Sequence, residues 1–105
     1  MGKTIARKED VLNKLRKNRS QLEALGVKQL GLFGSFVRGE QNSISDIDFI
    51  VEFEPGKKTF DNFMALSFFL EELFRHRVEL VTQESLSPYI GPYILKEAEY
   101  VSLAA

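Results

Sequence analysis

The chain has no cysteine and no tryptophan, a single histidine (His76) and three prolines among 105 residues. Without cysteine there are no disulfides and no thiolate zinc site. A lone histidine with no second His or Cys nearby argues against zinc of any kind. His76 falls instead at a helix end, where a cation is favoured. No apolar run approaches the ~20 residues needed to span a bilayer. The start, Met1-Gly2-Lys3-Thr4-Ile5-Ala6, lacks the apolar region of a secretion signal. It begins like a myristoylation site, but Ala6 stands where Ser or Thr is needed. These absences give the expectation of a soluble, cytoplasmic protein with no membrane association. An excess of one charge is missing too: fourteen Lys and Arg face fifteen Asp and Glu, for a net charge of −1. A dedicated duplex-DNA binder carries a basic excess, so direct duplex-DNA binding is not expected.

What is present suits one compact domain, 1–105. Apolar residues make up 44% and include nine Phe, enough for a core. A domain this small has a high surface-to-volume ratio and stands to gain stability from a partner, as in a hetero-oligomer. Helical spacing of Val11, Leu12, Leu15, Leu22 and Leu25 predicts a helix over 8–25, stopped by Gly26. A strand is expected over 27–33, with Leu30 and Leu32 on one face, then a short helical turn over 35–39. A polar loop, 40–45, leads to an alternating strand over 46–53. Ile47, Phe49, Val51 and Phe53 share one face of it; Asp46, Asp48, Ile50 and Glu52 share the other. After the Pro55-Gly56 turn, a helix is predicted over 60–75, capped by Thr59, with Phe60, Phe63, Met64, Phe68, Leu73 and Phe74 as its apolar residues. A third strand covers 77–82. Pro88 and Pro92 punctuate the start of a last helix through Ala98, and the tail is unassigned. This order implies an α+β (α/β) fold, a small mixed sheet with helices on one face; strand order does not follow from it.

Two segments carry chemistry. Gly34-Ser35 follows an apolar strand and opens a helical turn, where free backbone N–H groups and a hydroxyl suit phosphate oxygens. On its own this pair is equally a plain strand-ending turn. In Asp46-Ile47-Asp48, residues two apart on a strand project from one face, while Ile47 points into the core and pins the register. Two carboxylates so close are unfavourable unless a cation sits between them, and Mg²⁺ suits hard oxygen ligands shared with substrate phosphates. The alternative is a solvated edge-strand face, although Asp is depleted in strands.

Gly34-Ser35-Phe36-Val37-Arg38-Gly39-Glu40, followed by Ser45-Asp46-Ile47-Asp48, resembles the signature of the DNA-polymerase-beta-type nucleotidyltransferase superfamily, and most of all its minimal branch, the MNT domains. Leu30-Gly31-Leu32-Phe33 and Phe49-Ile50-Val51 are of the family type as well. The resemblance implies that Gly34 and Ser35 grip the triphosphate of ATP and that Asp46 and Asp48 bind two Mg²⁺ ions. It further implies that a third carboxylate on a later strand orients the attacking hydroxyl and shares a metal. Glu79, in Val78-Glu79-Leu80-Val81, stands where the family usually has Asp; its extra methylene alters the reach to metal. The alternative for Glu79 is a surface pair with Arg75 or Arg77, which would be weak. Arg38, one turn after Ser35, is placed to reach triphosphate or to structure the loop through Asp46. Glu40, Asn42 and Ser45 are read as loop-forming.

The resemblance also implies a role. MNT proteins often act as antitoxins paired with a HEPN-domain ribonuclease toxin, transferring AMP from ATP onto a Tyr of that partner. The absence of a substrate-reading domain fits a protein acceptor. A rival reading is a binding module that neutralises its partner by contact, with Phe36, Phe68 and Phe69 as contact area; helical aromatics of this kind are more often core. A small-molecule nucleotidyltransferase would need further substrate-binding elements.

Overall fold

The computed structural model describes residues 7–42 and 44–103. The start Met1–Ala6, Ser43 of the polar loop and the last two residues of the tail lie outside the described residues. In chain order the elements are α1 (Lys8–Lys17), α2 (Arg19–Ala24), β1 (Val27–Phe33), α3 (Ser35–Arg38), β2 (Ile47–Phe53), α4 (Phe60–Phe74), β3 (Val78–Thr82), a 3-10 turn (Gln83–Ser85), α5 (Gly91–Glu97) and β4 (Glu99–Ser102).

The expected first helix is two helices. Asn18 breaks it at φ −108° and ψ 25°, and its side-chain Nδ2 donates to the Lys14 carbonyl at 2.8 Å. A short amide side chain that bonds nearby backbone competes with helix continuation. The apolar stripe survives the break, with Val11, Leu12, Leu15 and Leu22 buried. Helix α4 begins as expected, with Thr59 accepting the Asn62 N–H at 3.1 Å. Its buried row is Leu66 and Leu70, not the Phe residues chosen from periodicity. Phe68 lies about 200° around the helix from Leu66 and is 62% exposed, and Phe60 is 77% exposed. Phe63, Phe69 and Phe74 pack at the margin of the core. Phe36 is buried at 2% exposure, which removes it from any contact surface.

The sheet order is β3-β2-β1-β4. β2 pairs antiparallel with β1 and parallel with β3; β4, unassigned in the sequence reading, pairs antiparallel with β1. This is the mixed sheet expected. One face carries Leu30, Leu32, Ile47, Phe49, Val51, Phe53 and Val101, and helices α1, α2 and α4 cover it with their buried leucines and Val11. A register shift between Val27 and Gln29 acts as a bulge, turning Val27 to the same face as Leu30. The other face presents Gln29, Gly31 and Phe33 of β1 beside Asp48, Ile50 and Glu52 of β2. Tyr100 crosses this face over Gly31: a β-carbon there would meet the Tyr100 ring at 2.8 Å. Glycine at that position leaves room for the ring, and the neighbouring Ile50 is buried at 2% exposure.

Candidate active site

The site grows from the end of β1. Gly34 takes φ 80° and ψ −151°, a region open essentially to glycine alone. That conformation turns the chain sharply from strand into α3, whose Val37 and Arg38 N–H groups return to the Gly34 carbonyl. The turn lies directly against Asp48: a β-carbon on Gly34 would sit 2.2 Å from Asp48 Oδ2. Phe33 and Asp48 are register partners, so strand pairing itself delivers the carboxylate to the turn. The candidate phosphate turn and the candidate metal ligand, read from the sequence as one constellation, are in contact.

The carboxylates are set by β2 and β3. Asp48 and Glu79 are register partners on these parallel strands, and side chains at paired positions share a face. Val78 and Leu80 on either side of Glu79 pack against the core, fixing Glu79 outward. Asp46 precedes β2 and meets Arg77, Nε to Oδ1 at 3.4 Å. Arg77 therefore pairs with Asp46, not with Glu79 as the surface alternative had it. The approach to Asp46 is braced by His76, whose Nε2 donates to the Ser45 carbonyl, and by Ile47 N–H on the Arg77 carbonyl at 3.0 Å. His76 also meets the Phe36 ring edge-on. The loop is tied by Asn42 N–H to Ser45 Oγ and Ile44 N–H to Asn42 Oδ1, the structural role expected of Asn42 and Ser45.

Burial, reinforced by the charges of Glu79 and Asp46, pushes the Asp48 carboxyl up from 3.8 to about 6. A carboxylate crowded by two others is relieved by a cation. Among the described residues, no group of three or more His, Cys, Asp or Glu stands ready to hold an ion by itself. Asp46, Asp48 and Glu79 are thus not drawn together as a ready three-ligand group; what they offer is carboxylate oxygen, the donor type of which Mg²⁺ commonly takes one or two, with water and phosphate filling its sphere.

Arg38 ties into the start of the loop that leads to Asp46, and also reaches across to α5. Its Nε bonds Glu40 Oε1 and its Nη1 bonds Glu97 Oε1, each at 2.9 Å, and hydrogen bonds to these two carboxylates raise its already high pKa. Glu97 was absent from the sequence reading. Its Oε2 also accepts the Gly34 N–H at 2.6 Å, across 63 residues. A glutamate at the end of a predicted surface helix gives no local signal of such a contact; only the strand β4 that follows it, pairing with β1, brings it there.

A four-stranded mixed sheet with a glycine turn set against strand-borne carboxylates defines a nucleotidyltransferase. Residues 12–101 match the family described as Nucleotidyltransferase domain, and the chain belongs to it. It is 38% identical to Protein adenylyltransferase MntA of Thermococcus cleftensis, over 89% of this chain and 94% of that protein. A solved structure described provisionally as a minimal nucleotidyltransferase is 34% identical, with a TM-score of 0.68 over 84% of this chain and 93% of its own. A toxin–antitoxin structure solved with AMP-PNP shares the fold at 22% identity and a TM-score of 0.63, over 95% of this chain and 74% of its own.

Proposed function

We propose that the chain, acting as one domain in the cytoplasm, transfers AMP from ATP to a hydroxyl of a partner protein, a Tyr of a HEPN ribonuclease toxin, and thereby serves as its antitoxin. The observation that carries the reading is the contact of Asp48 with the Gly34 turn, which puts the candidate triphosphate turn beside a candidate metal ligand. The relative from Thermococcus cleftensis, a protein adenylyltransferase by name, supports the acceptor class.

In this reading Gly34 and Ser35 seat the triphosphate, with Arg38 beside it. Asp46, Asp48 and Glu79 would hold Mg²⁺, two ions in this reading, which would supply charge neutralisation at the reacting phosphate. Glu79, alongside Asp48 on the neighbouring strand, orients the acceptor hydroxyl. The hydroxyl oxygen bonds to the α-phosphorus, the bond to the β-phosphate oxygen breaks, pyrophosphate leaves, and the hydroxyl proton passes to the Glu79 side. The protein contributes positioning and preorganised charge.

The test is intact-mass analysis of a partner toxin co-expressed with this chain. The expected result is one or more AMP additions that vanish with Asp46→Asn. A partner left unmodified yet still neutralised by the Asp46→Asn protein would establish the contact reading instead. Exposed Phe68 is the residue whose mutation would then weaken neutralisation.

A further inference from the structure

Helix α3 is four residues long, far below the length at which a helix sustains itself. Something outside it must fix its direction, because Ser35 and Arg38 inherit their placement from it. Phe36, buried in the core, holds its middle, and Glu97 holds its two ends. One carboxylate oxygen accepts the Gly34 N–H at 2.6 Å, at the entry of α3. The other pairs with Arg38 Nη1 at 2.9 Å, at its exit. In a capping box, a carboxylate within the helix reaches back to the N-cap N–H; here a residue of a different helix supplies that bond and holds the far end too. The bond uses the N–H of Gly34 itself, the N-cap of α3. Glu40 on Arg38 Nε, at 2.9 Å, completes a two-sided hold on the guanidinium.

We propose that Glu97 is a positioning residue for nucleotide: it clamps both ends of α3 so that Ser35 and Arg38 meet the triphosphate in one fixed arrangement. The proposal rests on the nucleotidyltransferase reading of this site. It differs from a role in general packing, because the two bonds go to the turn and its arginine, and α5 adds no hydrophobic side chain to the buried core.

The experiment uses the full chain with Glu97→Ala, Glu97→Gln and Glu97→Asp, each checked for an intact fold by thermal melting. The first readout is the ¹⁵N–¹H correlation of Gly34, without nucleotide. A short bond to a carboxylate moves an amide proton downfield, so the Gly34 signal should shift upfield in Glu97→Ala and partly in Glu97→Gln. The second is calorimetry with Mg-ATP against AMP: Glu97→Ala should weaken ATP at least tenfold and AMP by less than threefold. In transfer assays KM for ATP should rise with kcat changed less, and Glu97→Asp should recover part of the loss. If ATP binds the variants equally or more tightly, Glu97 is a spectator or a competing anion and the proposal fails. If the wild-type chain binds no Mg-ATP while the Gly34 signal still depends on Glu97, the clamp stands as a contact but its role in nucleotide binding, and the reading beneath it, both fall. A Gly34 signal unmoved in Glu97→Ala removes the clamp alone.

Discussion

Gly34 and Asp48 occupy adjoining space so closely that no side chain fits between them, with 2.2 Å separating a would-be β-carbon from Oδ2. Gly34→Ala must therefore push the carboxylate aside and also hold alanine at φ 80°. The expected cost is about 2–3 kcal/mol of stability, with transfer abolished. In an Asp48→Ala background the same change should cost visibly less. Thermal melting of the four proteins in this double-mutant cycle checks it; additive losses would mean the two residues are not coupled.

Asp48 also predicts how stability follows pH. Its carboxyl releases the proton at about 6 in the fold against 3.8 ordinarily. The folded protein binds that proton more tightly, so the group's contribution is full below about pH 4 and is lost as pH rises through 6. Asp48→Asn should leave stability unchanged near pH 4 and raise it at pH 8 by about 1 kcal/mol, solvent screening of this partly exposed group included. That is a melting point higher by about 4–8 °C. Melts with Mg²⁺ at pH 8 should lift the wild type more than the variant.

Glu79 separates an active enzyme from one that only binds nucleotide. Glu79→Gln should keep ATP affinity within a few-fold and lower transfer by at least ~10²-fold, the scale of lost acid–base help. Glu79→Asp, which restores the residue usual in the family, should retain or improve activity. Undiminished transfer from α-labelled ATP by Glu79→Gln would assign hydroxyl activation to another group.

Arg75 closes α4 at φ 51° and ψ 47°, a left-handed position that glycine commonly fills. Arg75→Gly should stabilise the protein by about 0.5–1 kcal/mol, read as a rise in the denaturant midpoint at constant slope. Transfer activity should not change, because Arg75 takes no part in the carboxylate cluster.

The periodic signals were legible where burial alone decides the outcome. Alternation placed Ile47, Phe49, Val51 and Phe53 on the core face, and Gly34-Ser35 with Asp46-Ile47-Asp48 marked out the candidate site, whose Gly34 and Asp48 the fold brings into contact. Three features were not legible, each for a physical reason. Asn18 breaks the first helix through a local side-chain bond that hydrophobic spacing does not register. Leu66 and Leu70 won the buried row of α4 because the sheet selects one face, and the five Phe of that helix gave too many candidates for it. Strand β4 is four residues long, too short to show a period. With β4 unread, Glu97 had no reason to be placed near Gly34.

That remote strand has a consequence in time. Gly34, Asp46, Asp48 and Glu79 emerge from the ribosome well before Glu97, and the Gly34–Glu97 bond closes a loop of 63 residues. Pairings of high sequence separation form against a larger loss of chain entropy than local ones. A nascent chain thus displays its acidic cluster beside an unclamped turn until β4 zips onto β1. In the proposed reading, nucleotide offered to such a fragment would meet the carboxylates without the grip, and competence would arrive only once β4 has been made.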